Sequence, residues 1–251
     1  MKPARRMARF GLGALACVFC IATARPSRAA WTAGAGYDYQ GGPNGLTWNA
    51  PLVFGTLAGH GGDGTLAAYR YHSSDTGWGW SALANIGVTL GSSTGARVIG
   101  THAIGDQDYR AWRLQAGPTI RLGEGRSVFA YAAHFEDNQT AHLNQIGAEA
   151  AIPLSPVVSG LAGGALGKWQ DDIGSAQGIL GLTWSGSSRL QLFGQMMFGK
   201  NIASASTLTS QGGASAPLAS RGHGRTAGGS SETSSAGAEA AGFLGIRVFV
   251  R

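Results

Sequence analysis

His134 and Glu136 have the spacing in this sequence that best suits acid–base chemistry. They stand two positions apart, so on an extended strand both side chains would point to the same face. A hydroxyl group from Ser73 or Thr140 could complete a nucleophilic set, but no spacing in the sequence brings either one close. We therefore predict that His134 takes part in a hydrogen-bond network, and we predict no catalytic residue.

Two glycine-rich segments match the letters of known functional loops. Gly91–Gly95 reads Gly-Ser-Ser-Thr-Gly, but a nucleophile elbow joins a strand to a helix, and this segment lies between two predicted strands. Gly34 and Gly36 lie within a predicted strand that no helix follows, which excludes a nucleotide-binding loop. The sequence has no His-x-x-x-His spacing, and after residue 30 it has no cysteine, so we expect neither a metal nor another cofactor.

The composition narrows the fold class. Glycine makes up 42 of the 251 residues, and only 13% of the residues are charged. Average proteins contain about 7% glycine and about 25% charged residues. The chain is therefore either an all-β protein with many turns or a protein whose outer surface carries few charges.

The first thirty residues have the pattern of a secretory signal peptide. Residues 1–9 form a positively charged segment, and residues 10–24 form an apolar stretch that is too short for a membrane-spanning helix. Both cysteines, Cys17 and Cys20, lie in this segment, so the mature chain would contain no disulfide. Removing the six basic residues of this segment from the total of 19 leaves 13, against 13 acidic residues. A neutral mature chain has no electrostatic attraction for nucleic acid, so we predict no nucleic-acid partner.

The rest of the chain alternates large apolar residues with small or polar residues, in segments of about ten. All seven even-numbered positions from Trp78 to Leu90 are apolar, which a helix cannot place on one face. The predicted strands lie near residues 31–40, 46–57, 65–73, 78–91, 95–105, 109–122, 127–136, 142–154, 157–169, 176–185, 189–200 and 239–251.

The polar face of these strands distinguishes a membrane barrel from a soluble sheet. It consists of Gly, Thr, Ser, Gln and Asn, and it lacks the many Lys and Glu that a soluble sheet presents to water. An even number of long strands behind a signal peptide fits a barrel in which every backbone group is paired. We predict an all-β chain that forms a closed antiparallel up-and-down transmembrane β-barrel of about 12 strands over residues 31–251. A periplasmic β-sandwich or a secreted domain is the alternative.

Tryptophans mark the ends of the predicted strands. If both termini face the periplasm, all seven lie near a strand end, as the aromatic girdles of a membrane barrel do. The predicted membrane-interface aromatics are Trp31, Trp48, Trp78, Trp80, Trp112, Trp169 and Trp184.

Strand parity places several charged residues on the inner face of the predicted barrel. They form a narrow, mildly basic pore, or they pair with each other and close the interior as a structural polar core. The lumen-facing candidates are Asp38, Arg70, Arg113, Arg121, Glu149, Lys168 and Arg247.

Residues 201–237 interrupt the strand pattern. Of these 37 residues, 27 are Ser, Gly, Ala or Thr, and none is aromatic. Such a composition buries too little apolar area to order itself, so we predict a long disordered loop on the outer surface. A folded plug or a partner-binding arm is the alternative.

The opening strand Ala35–Tyr39, which reads Ala-Gly-Tyr-Asp-Tyr, and the glycine-rich aromatic meander resemble bacterial outer-membrane β-barrels, in particular small barrels of the YaiO kind. The resemblance implies location in the outer membrane after signal-peptide cleavage, and it supplies no catalytic residue. Such barrels usually end on an aromatic residue, whereas this chain ends on Arg251 with Phe249 two positions earlier.

The expected partners are outer-membrane lipid, lipopolysaccharide and the barrel assembly machinery, and no specific protein partner is indicated. We expect a structural role or a role associated with export of a surface polymer. The alternatives are a passive channel for small solutes and a lipid-modifying enzyme with its site at the rim.

Overall fold

The computed structural model describes residues 30–41, 47–74, 77–106, 108–138, 142–169, 174–200 and 239–250. Apart from residue 30, the predicted signal peptide lies outside these ranges, as does the predicted loop 201–237. The described part of the chain contains no helix that is long and apolar enough to cross a membrane.

The described chain consists of strands joined by turns. The strands are β1 (Ala30–Gly41), β2 (Thr47–Gly59), β3 (Gly62–Ser73), β4 (Gly77–Thr89), β5 (Thr94–Gly105), β6 (Arg110–Gly123), β7 (Arg126–Asp137), β8 (His142–Ser155), β9 (Val158–Trp169), β10 (Gly174–Ser187), β11 (Leu190–Lys200) and β12 (Glu239–Val250).

The strands form one closed barrel. Each strand pairs antiparallel with its neighbours in sequence, and β1 also pairs with β12. The closing register runs from Ala33 opposite Val250 to Gly41 opposite Gly242. The prediction of a closed antiparallel barrel of 12 strands is therefore confirmed. Closure leaves no strand with a free row of backbone groups, which is the liability of an open sheet.

Alternation along each strand divides its side chains between the two faces of the barrel wall. On β4, Trp80 and Ala82 are exposed on the outer face, whereas Leu83 and Asn85 are buried inside. The outer face carries many large apolar side chains, such as Leu180 near the middle of β10, which is 54% exposed. The barrel thus presents apolar side chains outward around its wall.

The two ends of the barrel differ in their connections. At the end where β1 begins and β12 finishes, the turns contain two residues, except for residues 90–93 between β4 and β5. Gly123, the last residue of β6, and Gly125 in the turn that follows have φ values of 84° and 75°, which glycine adopts without steric cost. At the opposite end each connection spans at least three residues. We refer to these as the short-turn end and the long-connection end.

Candidate functional site: the barrel interior

The interior of the barrel contains four of the seven charged residues that sequence parity placed there. The side chains of Asp38, Arg113, Glu149 and Arg247 are buried inside. Arg121 shares the inward parity of β6 but lies at the exposed short-turn end, where its Nη2 donates to Oγ1 of Thr89 at 3.0 Å. The inner wall is therefore charged along several strands.

The placement of Arg70 and Lys168 in the interior was wrong. Tyr69 and Tyr71 are buried inside, so Arg70 between them points outward, with its guanidinium 5.2 Å from the ring centre of Trp78 and 5.3 Å from that of Trp80. Lys168 is exposed on the outer face, next to the buried Trp169. Long cationic side chains can face outward near a barrel end, because their stems cover apolar surface while the charge reaches water.

The placement of Trp48 and Trp169 at the membrane interface was also wrong. Both are buried inside the barrel, and the Trp48 ring lies 6.0 Å from the rings of Tyr69 and Tyr71. The prediction assumed that the apolar face of a strand points outward, but on β2 the apolar face that includes Trp48 and Leu52 points inward. The exposed tryptophans are Trp31 and Trp184 toward the short-turn end and Trp78, Trp80 and Trp112 toward the long-connection end.

An ion pair lies inside the seam that closes the barrel. Arg247 of β12 donates from Nη1 to Oδ1 and from Nη2 to Oδ2 of Asp38 on β1, the second contact being 2.9 Å long. The guanidinium also lies over the Phe193 ring, 4.6 Å from its centre. A Cβ atom at Gly36 would stand 2.9 Å from Cδ of Arg247, and one at Gly245 would stand 2.7 Å from Oδ1 of Asp38. Glycine at these two positions leaves the space that the pair occupies.

A second charged group, which sequence reasoning missed, lies toward the short-turn end. Arg97 Nη2 donates to both carboxylate oxygens of Asp63 at 2.8 Å, and Arg97 Nη1 donates to Oδ1 of Asn85 at 2.6 Å. A cavity of about 190 Å³ borders Arg97, Asp63 and Arg121. The register could have revealed this group, because Asn85 pairs directly with Ile99, which places Ile99 and Arg97 on the inner face.

A third charged group lies between β6 and β8. Arg113 is buried, and its Nη2 donates to Oε1 of Gln145 at 3.4 Å. Glu149 and Tyr131, both also buried inside, interact electrostatically with Arg113. Among the arginines buried in the described interior, Arg97 and Arg247 each form an ion pair with an aspartate, and Arg113 interacts electrostatically with Glu149.

Packed aromatic side chains narrow the interior. The buried cluster includes Tyr69, Phe129, Phe135 and Phe243, from β3, β7 and β12. Even the small side chain of Ala50 on the inner wall is inaccessible to water, because neighbouring side chains cover it. The lumen is therefore much narrower than the backbone of a 12-stranded barrel would permit.

Buried amide groups interrupt this packing. Among the described residues, the Nε2 atoms of Gln115, Gln177 and Gln195 have no hydrogen-bond partner within the protein, and neither has Oε1 of Gln177. A buried polar atom without a partner costs about 1–3 kcal/mol. Water or a hydroxylated solute would supply the missing partners.

The residues considered for acid–base chemistry are separated by the barrel wall. His134 and Glu136 lie on the outer face of β7 at the long-connection end, whereas Ser73 is buried on the inner face of β3. Thr140 lies outside the described residues. His142 of β8 comes close to Glu136 instead, with Nδ1 at 3.9 Å from Oε1.

Comparison with known proteins bears on the fold. No protein-family model matches the sequence, and no similar curated protein is found. The chain is structurally similar to the KdgM porin, with a TM-score of 0.58 and 6% identity over 87% of this chain and 99% of that one. The chain therefore shares the β-barrel fold of this porin. It is also similar to the NanC porin, with a TM-score of 0.51 and 6% identity over 86% of this chain and 98% of that one.

A further similar structure is a KdgM porin in complex with disordered oligogalacturonate, with a TM-score of 0.56 and 7% identity over 88% of this chain and all of that one. At such low identity these similarities establish the fold alone. They support the resemblance to outer-membrane barrels at the level of architecture, and no sequence family supports the closer resemblance to barrels of the YaiO kind.

Proposed function

We propose that this protein is a narrow outer-membrane channel that passes water and small uncharged solutes. The proposal has two parts, insertion into the outer membrane and conduction through the lumen. Different features of the barrel support each part.

The outer face supports insertion into a membrane. Large apolar side chains cover the middle of the wall, and exposed tryptophans lie toward both ends. In water, this apolar surface around the wall would drive aggregation, whereas in a membrane lipid would cover it. The porin fold and the predicted signal peptide point to the outer membrane of a bacterium, with lipopolysaccharide and the assembly machinery as the expected partners.

The charges of the lumen argue against transport of a charged polymer. Arg97 and Arg247 each pair with an aspartate, and Arg113 interacts electrostatically with Glu149, so the described inner wall carries no uncompensated row of cations. A porin that holds oligogalacturonate accommodates an anionic polymer, for which this wall offers little attraction. Buried aromatic side chains also pack the lumen, which argues against passage of a bulky surface polymer, so a channel role fits better than an export role.

The observation that carries the proposal is the set of amide groups of Gln115, Gln177 and Gln195, whose Nε2 atoms lack protein partners. A dry structural core would leave these atoms unpaired at a cost of about 1–3 kcal/mol each, while a hydrated lumen satisfies them. Their donors can bond water or the hydroxyl groups of a small polyol as it passes.

The test is osmotic. The full-length protein would be folded in detergent, checked by its heat-modifiable mobility, and reconstituted into liposomes. Stopped-flow light scattering should show rapid glycerol entry and exclusion of raffinose. Replacing all three glutamines by Leu, which keeps a similar volume, should slow glycerol entry at least about tenfold. Equal glycerol entry with and without the folded wild-type protein would contradict the proposal.

A structural barrel with a closed lumen is the second candidate, and the packed aromatic cluster favours it. Under this alternative the wild-type protein would pass no glycerol, while truncation of Trp48 would open a path. The same liposome assay on the two proteins therefore separates the candidates.

A further inference from the structure

Three metal-ligating side chains converge on the outer face of the barrel at the long-connection end. Nε2 of His134 lies 3.8 Å from Oε2 of Glu136, and Nδ1 of His142 lies 3.9 Å from Oε1 of the same carboxylate. The possible ligand atoms of all three residues lie within 4.8 Å of one another. Each side chain is a little over one-third exposed, and the group lies in the last four residues of β7 and the first residue of β8, so an ion in the water at this end of the barrel can reach it.

The strand register produces this convergence. His134 and Glu136 are two positions apart on β7 and therefore share a face. Glu136 pairs directly with His142 on β8, which places the second imidazole beside the carboxylate. Two neighbouring strands of the closed sheet, and not a loop, hold the ligating residues in place.

A neighbouring amide orients the His134 imidazole. Nδ1 of His134 lies 2.8 Å from Oδ1 of Asn144, its direct partner across the two strands. Because Oδ1 only accepts, Nδ1 of the imidazole donates to it, and Nε2 faces the Glu136 carboxylate. The Trp112 ring packs beside the imidazole, with 4.9 Å between ring centres. A histidine ligand whose other nitrogen donates to a fixed acceptor is the usual arrangement at metal sites.

We propose that His134, Glu136 and His142 form a binding site for Zn²⁺. Two imidazole nitrogens and one carboxylate form a ligand set that zinc commonly takes, with a fourth position left for water. Ligands around a tetrahedral zinc ion stand about 3.4 Å apart, as follows from bond lengths of about 2.1 Å. The separations of 3.8 and 3.9 Å from the histidine nitrogens to the carboxylate need only small side-chain rotations to reach that value. Mg²⁺ and Ca²⁺ prefer all-oxygen ligands, so the site should discriminate against both.

The site lies outside the lumen, so the proposal does not depend on conduction. A barrel that passes no solute would still bind zinc here, and a conducting barrel could lack the site. The zinc-binding proposal and the channel proposal can therefore be contradicted independently, the first by the zinc titration and the second by the solute-flux measurement.

The experiment titrates the folded full-length protein in detergent with Zn²⁺ against a competing zinc-binding dye. His134→Ala, Glu136→Gln and His142→Ala should each weaken zinc binding by at least about tenfold. Asn144→Ala keeps every ligand but frees the imidazole, and it should weaken binding by about tenfold. Mobility of the unheated protein on a gel checks that each variant is folded.

The matched control is His60→Ala, because His60 is an exposed histidine in the turn at the short-turn end. This variant should bind zinc as the wild type does, and an excess of Mg²⁺ should not displace the ion. Zinc binding that is unchanged in the three ligand variants would overturn the proposal. A dissociation constant above about 0.1 mM for Zn²⁺ and the wild-type protein would overturn the proposal as well.

Discussion

Arg247 and Asp38 form a buried ion pair on the inner side of the seam where β12 closes against β1. The pair joins residues that are 209 positions apart in the sequence, so it forms only when the last strand docks on the first. Both side chains are at most 1% exposed, which makes each charge dependent on the other.

Breaking this pair on one side should destabilise the closed barrel. Arg247→Met leaves the Asp38 carboxylate buried without its partner, a change that costs about 3–5 kcal/mol in comparable buried pairs. The free energy of unfolding in urea, measured in detergent, gives the value. The double variant Asp38→Asn/Arg247→Met should recover much of the loss, because it buries no charge. Equal stability of the single variant and the wild type would show that the pair does not hold the seam.

A charge on the outer wall should interfere with insertion. Leu180 is exposed near the middle of β10, and arginine on the lipid face of a barrel at mid-membrane costs about 2–4 kcal/mol. Leu180→Arg should therefore lower the folded fraction in lipid bilayers, while Leu180→Met should leave it unchanged. Refolding yield, read from heat-modifiable mobility, checks this prediction. A full refolding yield for the arginine variant would contradict the prediction that Leu180 of β10 faces lipid.

Truncation of Trp48 should widen the lumen. This side chain is 1% exposed and packs against Tyr69 and Tyr71, so Trp48→Ala opens space inside the barrel. Larger sugars should then enter liposomes that contain the variant, and stability should fall by about 3–5 kcal/mol because of the cavity. Trp78→Ala is the control, since Trp78 lies on the outer face and should not change solute size selection. If both variants admit solutes of the same maximum size, Trp48 does not lie on the path that solutes take through the lumen.

Arg70 should act as an anchor on the outer face. Its guanidinium lies over the rings of Trp78 and Trp80, and each such contact contributes about 0.5–1 kcal/mol at an exposed site. Arg70→Ala should lower the free energy of unfolding by about 1 kcal/mol, and Arg70→Lys should lower it less. Neither change should alter glycerol flux, because the side chain points away from the lumen. A change in flux would restore the lumen-facing prediction for this residue.

The fold could be predicted from the sequence because alternation with period two is a local property. Six of the seven even-numbered apolar positions from Trp78 to Leu90 lie on the outer face of β4. The seventh, Leu90, follows the end of the strand. Glycine and other turn residues mark the strand ends, and the even number of strands then favours closure. This reasoning predicted the number of strands and their approximate bounds.

Alternation states which residues share a face, but it does not state which face is inside. Trp48, Trp169, Arg70 and Lys168 were placed wrongly for this reason, because apolar residues line both sides of the wall. Only the closed sheet decides the direction of each face.

The contacts between strands were decided by the tertiary structure alone. Arg97 of β5 reaches Asp63 of β3 across the single intervening strand β4, Arg247 reaches Asp38 across the seam, and His142 reaches Glu136 across one pairing. No sequence spacing encodes these contacts, because each depends on the register between strands and, at the seam, on closure of the whole barrel. The sequence by itself therefore determined a twelve-stranded barrel, and the tertiary structure decided which face points outward, which charges pair and where ligating side chains meet.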